Sequence, residues 1–260
     1  MKSDLEKIYN ESIKNPEEFW KKVADDIFWF KKPSKILNKS NPPFYKWYED
    51  GVTNTCYNAL DFHIDNGRGD RTALIYDSPI TGSKKKISYK ELTEKVSKFA
   101  GALQNQGIKK GDRVIIYMPM IPEAVISMLA CARIGAIHSV VFGGFASNEL
   151  ASRIDDSKAK VLLTASCGFE PGKTVQYKPL VDEALKLASH KIEKLILFQR
   201  PDNEVKLNAP KEIGWDEALS NAKNVDCVEM SSNEFAYILY TSGTTGVPKG
   251  IVRDIGGHIA

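Results

Sequence analysis

Several signatures that assign a chain to a class by inspection are missing from this sequence. No apolar run approaches the roughly 20 residues that a membrane-spanning helix requires, so no membrane partner is expected. The first residues contain no apolar segment of a secretory signal, and their frequent acidic residues are unlike those of an arginine-rich transit peptide. We therefore expect a cytoplasmic protein.

Cysteine and histidine are too scattered to predict a metal centre. The four cysteines include no Cys-x-x-Cys pair, and the four histidines show no ligand spacing. Such a pattern is typical of reduced thiols rather than of a disulfide framework or a zinc site. We predict no metal held by the chain itself and expect any Mg²⁺ to arrive with a nucleotide. The cysteines are Cys56, Cys131, Cys167 and Cys227.

A strong charge of one sign is also lacking. The net charge of +3 over 260 residues gives no support to nucleic acid as the main partner. The first part of the chain does interleave lysines with aromatic residues such as Trp20, Trp29 and Trp47, a pattern that can stack on single-stranded nucleic acid. Acidic residues are interleaved there as often. We therefore expect an aromatic-rich helical arm that packs on the main domain, with one helix beginning at Asn15-Pro16.

The most informative stretch lies near the end of the chain, Tyr240-Thr-Ser-Gly-Thr-Thr-Gly-Val-Pro-Lys-Gly250. The apolar run 235–240 predicts a buried strand that leads into it. Glycines let successive backbone N–H groups turn toward a ligand, and hydroxyls and an ammonium beside them favour a polyphosphate. A Walker A loop is excluded, because Lys249 precedes Gly250 rather than Ser or Thr. The alternative is a plain surface turn. The candidate phosphate-binding residues are Thr241, Ser242, Gly243, Thr244, Thr245, Gly246 and Lys249.

Strand and helix patterns alternate between the arm and this loop. Continuous apolar strands are predicted at 113–118, 137–142, 161–164 and 195–198, with helical patterns between them. Continuous rather than alternating apolar strands favour a largely parallel sheet that helices cover on both faces. The fold class is therefore α/β.

Local signals set several element ends. Ser88 and Glu91 form a capping-box pattern that predicts a helix, and Gly107 is a fitting end for it. The helix has an apolar face made of Leu92, Val96, Phe99 and Leu103. Before it, the lysines 84–86 are expected at a solvated hairpin tip. The polar run 199–209 is expected to be an exposed excursion.

Three further stretches carry a family resemblance: Tyr117-Met-Pro-Met-Ile-Pro-Glu-Ala124, Met128-Leu-Ala-Cys-Ala-Arg-Ile-Gly-Ala136 and Val141-Phe-Gly-Gly-Phe-Ala146. Together with the loop they resemble the adenylate-forming enzymes and, within these, the short-chain acyl-CoA synthetases. The resemblance covers essentially the whole chain. It implies an arm at residues 1–57 and, at residues 58–260, the N-terminal part of the large synthetase domain. Because such enzymes are much longer, we expect an N-terminal fragment, inactive alone, whose catalytic residues lie beyond Ala260.

The resemblance implies ligation of a short-chain carboxylic acid to CoA with MgATP, through an acyl-adenylate that is formed with release of pyrophosphate. The segments 164–177 and 252–257 resemble the propionyl-CoA synthetases, so propionate is favoured and acetate is next. The arm disfavours aryl and amino acids, because the branches that use them lack it. A different class remains open, a non-catalytic module that binds a nucleotide or a protein.

The resemblance also implies a CoA-binding segment formed by Glu170, Pro171, Gly172 and Lys173. A lysine ammonium can pair with the 3′-phosphate of CoA, and a glycine lets the backbone approach it. An acid such as Glu170 would repel that phosphate, so Lys173 is the stronger candidate of the two.

Overall fold

The computed structural model describes residues 4–201, 203–241 and 248–259. No helix in these ranges is both long and apolar enough to cross a membrane. The described helices are α1 (Asp4–Lys14), α2 (Pro16–Ala24), α3 (Thr55–Ala59), α4 (Asp61–Asp65), α5 (Tyr89–Asn105), α6 (Pro122–Arg133), α7 (Ser147–Ser157), α8 (Tyr177–Leu187), α9 (Trp215–Ser220) and α10 (Ile255–Ile259).

The described strands fall into one large sheet and several two-stranded pairs. They are β1 (Leu37–Asn38), β2 (Lys46–Trp47), β3 (Val52–Thr53), β4 (Thr72–Ser78), β5 (Ser83–Ser88), β6 (Arg113–Tyr117), β7 (Ile137–Val140), β8 (Val161–Ala165), β9 (Cys167–Glu170), β10 (Lys173–Gln176), β11 (Lys194–Phe198), β12 (Glu212–Gly214), β13 (Met230–Ser231), β14 (Phe235–Thr241) and β15 (Lys249–Asp254).

The large sheet has the strand order β12-β11-β8-β6-β7-β14-β15. All neighbouring pairs are parallel except β14 and β15, which are antiparallel. On β6, Val114 and Ile116 face one apolar cluster while Ile115 faces another, and all three are fully buried. The predicted parallel sheet with two covered faces is confirmed, because an apolar residue at every position is what two covered faces require.

Helices cover the two faces. One cluster unites β6 and β8 with α5, α6 and α9, and it includes a stacked pair, Phe99 and Trp215, whose ring centres are 3.8 Å apart. The other unites the same strands with α7 and α8. The predicted capping box of α5 is present, and Gly107 follows the helix with a φ of 83°. Apolar burial on both faces is the main source of stability in such an arrangement.

The arm packs on the main domain as predicted. Phe28 of the arm and Phe62 of the main domain have ring centres 6.3 Å apart, and within the arm Trp20 and Trp47 contact edge to face. The Tyr48 hydroxyl donates to the carbonyl of Trp20, and the Tyr48 side chain is almost fully buried. Helix α1 differs from the rest of the arm, since none of its residues is buried.

The structure corrects two expectations. The lysines 84–86 lie inside β5 rather than at the hairpin tip, because the pairing of Ser78 with Ser83 places the turn between these two residues. Strand β14 is not buried on both faces: Ala236 and Ile238 are buried, whereas Phe235 and Leu239 are exposed. Its position next to the edge strand β15 leaves one face open.

Seven of the described strands were not predicted at all. The β9–β10 hairpin and the edge strand β12 have mixed polar sequences, and β1, β2, β3 and β13 have only two residues each. Neither a continuous nor an alternating apolar pattern marks them.

Candidate nucleotide site

The two ends of the predicted phosphate loop are held opposite each other. Strand β14 ends at Thr241, β15 begins at Lys249, and these two residues are paired in the antiparallel register. Both side chains are exposed, and Lys249 forms no ion pair with any described residue. Ser242, Gly243, Thr244, Thr245 and Gly246 lie outside the described residues. A hydroxyl and an unpaired ammonium therefore stand at the two ends of the predicted loop.

The carboxyl ends of parallel strands meet at one edge of a sheet, where α/β proteins bind their ligands. Several segments follow strands at this edge. They include residues 141–146 after β7, the β9–β10 hairpin after β8, the segment from Gln199 after β11, and the predicted phosphate loop after β14. Both predicted sites thus lie at the same edge, separated in the strand order by β6 and β7.

The 141–146 segment is fixed by two tyrosines. The Tyr117 hydroxyl donates to the carbonyl of Phe145 at 2.8 Å. A Cβ on Gly143 would lie 2.0 Å from the hydroxyl oxygen of Tyr177, so only glycine fits there. Tyr177 begins α8, and burial raises the pKa of its phenol. The close approach packs the 141–146 segment against the base of the β9–β10 hairpin.

The four predicted CoA-binding residues form the turn of the β9–β10 hairpin. Gly172 has a φ of 74°, a conformation that glycine adopts at little cost. Lys173 forms an ion pair with Glu170 at 2.9 Å, and both side chains are largely exposed. Glu170 therefore neutralises part of the lysine charge in this structure rather than standing apart as a separate repulsive group.

Arg200 was missed by sequence reasoning, which placed it in an exposed excursion. It is only 7% exposed, and its guanidinium lies 4.8 Å from the ring centre of Phe169 in the hairpin. Its backbone N–H donates to the Ser166 hydroxyl at 2.9 Å. No carboxylate of the described residues forms an ion pair with Arg200. The sequence feature that could have indicated Arg200 is its position directly after an apolar strand, where the chain reaches the ligand-binding edge of the sheet.

A second polar cluster lies away from this edge. The ligand atoms of Cys56, Asp61 and Cys227 lie within 4.8 Å of one another, the kind of grouping that can hold a metal. Here a cation is already present, since Arg133 donates to the Asp61 carboxylate at 2.8 and 2.9 Å and contacts the Cys227 sulfur at 3.2 Å. Arg133 is 3% exposed. A hydrogen bond with Cys56 and burial raise the pKa of the Cys227 thiol. The cluster therefore fits a structural cross-link.

The sheet and its ligand-binding edge define an adenylate-forming α/β fold. Acetoacetyl-CoA synthetase from Streptomyces lividans has this fold with a TM-score of 0.85 and 25% identity, covering 95% of this chain and 38% of that one. The AMP-binding enzyme family model matches residues 62–260, and the acetyl-coenzyme A synthetase N-terminus model matches residues 5–59. The chain belongs to the AMP-binding enzyme family.

Its relatives include short-chain acyl-CoA synthetases. Acyl-CoA synthetase short-chain family member 3, mitochondrial, of Homo sapiens is 54% identical over 248 residues, which are 95% of this chain and 36% of that protein. Acetyl-coenzyme A synthetase of Streptomyces coelicolor is 45% identical over 242 residues, 93% of this chain and 37% of that protein. The chain thus spans little more than a third of the length of these relatives.

Proposed function

We propose that the protein carrying this chain ligates a short-chain carboxylate to CoA, with propionate favoured and acetate next. In the first step a carboxylate oxygen attacks the α-phosphorus of ATP, and pyrophosphate leaves. In the second step the CoA sulfur attacks the acyl carbonyl, and AMP leaves. The observation that carries the proposal is the exposed, paired placement of Thr241 and Lys249 at the ligand-binding edge of a chain from this family.

The phosphate loop would hold the leaving pyrophosphate. An ammonium and hydroxyls compensate the negative charge that develops on the β- and γ-phosphates, and positioning of this kind supplies most of the catalysis in phosphoryl chemistry. Lys249 would supply the positive charge and Thr241 a hydroxyl, together with the intervening residues of the loop. These groups fit MgATP, because Mg²⁺ binds through phosphate oxygens and water with few protein ligands.

The β9–β10 hairpin would bind the nucleotide end of CoA. Gly172 allows close backbone approach, and Lys173 offers a charge for the 3′-phosphate. Arg200, buried beside Phe169, supplies a second cation near the base of the same hairpin. The preference for propionate rests on sequence likeness in the segments 164–177 and 252–257 alone.

The proposal is tested with the gene product that carries this chain. AMP release that depends on CoA is measured with propionate and acetate in parallel, and the ratio of kcat/KM values is expected to favour propionate. A higher value for acetate would overturn the substrate preference. Absence of AMP release with both acids and with butyrate would overturn the ligase proposal.

The role of Lys249 is tested in the first step alone. Lys249→Ala is expected to slow pyrophosphate–ATP exchange by about 100-fold, because a lost charge contact in a transition state costs about 3 kcal/mol. Lys109→Ala is the matched control, an exposed lysine in the turn before β6, at the opposite end of that strand from the ligand-binding edge. Unchanged exchange in Lys249→Ala would remove this residue from the proposed mechanism.

A further inference from the structure

Arg153 on α7 lies between two aromatic rings that belong to different segments of the ligand-binding edge. Its guanidinium carbon is 4.8 Å from the ring centre of Phe145 and 5.2 Å from that of Tyr240. The side chain is only 5% exposed. Glu149, one turn earlier on α7, accepts from the guanidinium at 2.7 Å with its carboxylate and also with its carbonyl. The cation is therefore held in place from its own helix.

Asp156, on the next turn of α7, makes a second connection to the same tyrosine. Its carboxylate accepts a hydrogen bond from the Tyr240 hydroxyl at 2.7 Å. Burial and this hydrogen bond raise the pKa of the Tyr240 phenol, so the hydroxyl remains a donor at neutral pH. Gly250, paired with Tyr240, is crowded by the same groups, since a Cβ there would lie 3.2 Å from the Asp156 carboxylate.

These contacts connect the 141–146 segment with the ends of β14 and β15, which sheet pairing alone does not hold together. Phe145 lies in the 141–146 segment, which packs against the base of the β9–β10 hairpin through Gly143 and Tyr177. Tyr240 immediately precedes Thr241, the first residue of the phosphate loop, and Gly250 immediately follows Lys249, the last. One turn of α7 thus contacts both ends of the phosphate loop and the neighbouring segment.

We propose that Arg153 and Asp156 are positioning residues that fix the two ends of the phosphate loop relative to the 141–146 segment. Neither residue needs to touch a ligand. The Arg153 guanidinium sets the distance between the rings of Phe145 and Tyr240. The Asp156 carboxylate sets the distance between Tyr240 and α7. The placement stands on its own geometry, whereas its effect on polyphosphate binding rests on the proposed function.

Hydrogen exchange in this chain without ligand tests the placement. Tyr240→Phe keeps the ring and removes only the hydroxyl, and Asp156→Asn keeps an acceptor and removes the charge. Both are expected to speed exchange of the Thr241 and Lys249 amides about fivefold, as the loss of a hydrogen bond to a carboxylate allows. The control is Asp155→Asn, the neighbouring carboxylate, which instead accepts from the backbone amides of Ser189 and His190. Equal exchange at Thr241 and Lys249 in all three variants and the wild type would overturn the proposal.

Arg153 is tested by rescue. Arg153→Met removes the cation, and Arg153→Lys restores one without the planar fork. We expect faster exchange at Thr241 in the first variant and partial recovery in the second. Equal exchange in both would show that the charge over the rings has no positioning role. If Arg153→Met does not fold, Arg153→Gln, which also lacks the charge, takes its place, and exchange at the wild-type rate at both Thr241 and Phe145 would count against the proposal.

The effect on chemistry is measured in the gene product that carries the chain. In pyrophosphate exchange, Tyr240→Phe and Asp156→Asn are expected to raise KM for MgATP about threefold to tenfold and leave KM for the carboxylate unchanged. Asp155→Asn is expected to change neither. If these residues only stabilised the fold, their substitution would lower the amount of active enzyme and would not raise KM for MgATP while leaving KM for the carboxylate unchanged. A wild type without exchange activity would refute the proposed function, while the amide measurements would still decide the placement.

Discussion

The centre of the sheet and strand β14 near its edge have similarly apolar sequences but different surroundings. Leu163 on β8 is fully buried beneath helices, whereas Leu239 on β14 is 49% exposed. The central strands have helices on both faces, whereas β14 is buried only at Ala236 and Ile238 and β15 has no buried residue. The predicted phosphate loop is attached to the less covered pair. The apolar centre is thus held by burial, whereas the ends of the predicted phosphate loop are held mainly by the contacts of Arg153 and Asp156 on α7 with Tyr240.

Removing a leucine side chain in each region is expected to have the largest effect on stability. Leu163→Ala is expected to lower the free energy of unfolding by about 2–5 kcal/mol, because a cavity remains in a well-packed core. Leu239→Ala is expected to cost under about 1 kcal/mol, since half of that side chain already contacts solvent. Denaturant unfolding of this chain measures both. Equal losses would mean that the β14–β15 pair is as tightly covered as the centre.

The boundary between the regions is predicted to be sensitive to acid. His138 on β7 pairs with Tyr237 on β14, and its buried Nδ1 has no hydrogen-bond partner among the described residues. Burial lowers the pKa of His138 to about 4. The unfolded chain binds this proton near pH 6.5, whereas the folded chain binds it only near pH 4. The free energy of unfolding is therefore unaffected above about pH 6.5 and falls by up to about 3 kcal/mol as the pH is lowered toward about 4.

His138→Phe is expected to flatten that part of the stability profile, measured by denaturant unfolding from pH 7 to pH 4. Asp50 provides the control, since hydrogen bonds from Ser34 and Lys35 lower its pKa to about 2. The stability that the Asp50 carboxylate provides is lost only between about pH 4 and pH 2. Asp50→Asn is therefore expected to leave the decline in stability between pH 7 and pH 4 unchanged. A profile in His138→Phe as steep as that of the wild type would contradict the assignment.

The smallest expected effect lies at the hairpin turn. Glu170→Gln breaks an exposed ion pair with Lys173 and is expected to change stability by less than about 0.5 kcal/mol. It is expected to tighten CoA binding about twofold, because Lys173 is then unpaired. Calorimetric titration with CoA measures this, and Glu183→Gln, from an exposed pair with Lys186 on α8, is the control. Weaker CoA binding in Glu170→Gln would assign the acid a direct role in binding.

The sequence predicts the centre of the sheet better than its ligand-binding edge. Strands β6, β8 and β11 are continuous apolar runs, and helices α5 and α6 begin at a capping box and at a proline, signals that act over a few residues. The β9–β10 hairpin has a local signal only at its Pro171-Gly172 turn, and the geometry of its strands depends on the contact of Tyr177 with Gly143 and Gly168. Its pairing is set by tertiary packing, which no local window contains.

The same reason explains the missed side-chain clusters. Cys56 and Cys227 are far apart in sequence and meet only because Arg133 joins their segments to Asp61. Arg153 has the ordinary appearance of a helix residue, and its position between two rings depends on where β7 and β14 end. The phosphate loop was predicted from its own residues, whereas the groups proposed to position it lie elsewhere in the chain and carry no motif.

Helix α1 is expected to unfold locally before the rest of the chain. It has 11 residues, none of them buried, and Leu5 and Tyr9 are more than half exposed. An isolated helix of this length is marginal in water, since about 12–15 residues are needed even for favourable sequences. Because α1 is tied to α2 by an exposed ion pair between Glu11 and Lys22, we expect its local unfolding free energy to be small compared with that of the sheet. A protease can remove the first turns of the chain at a rate that is independent of the stability of the folded domain.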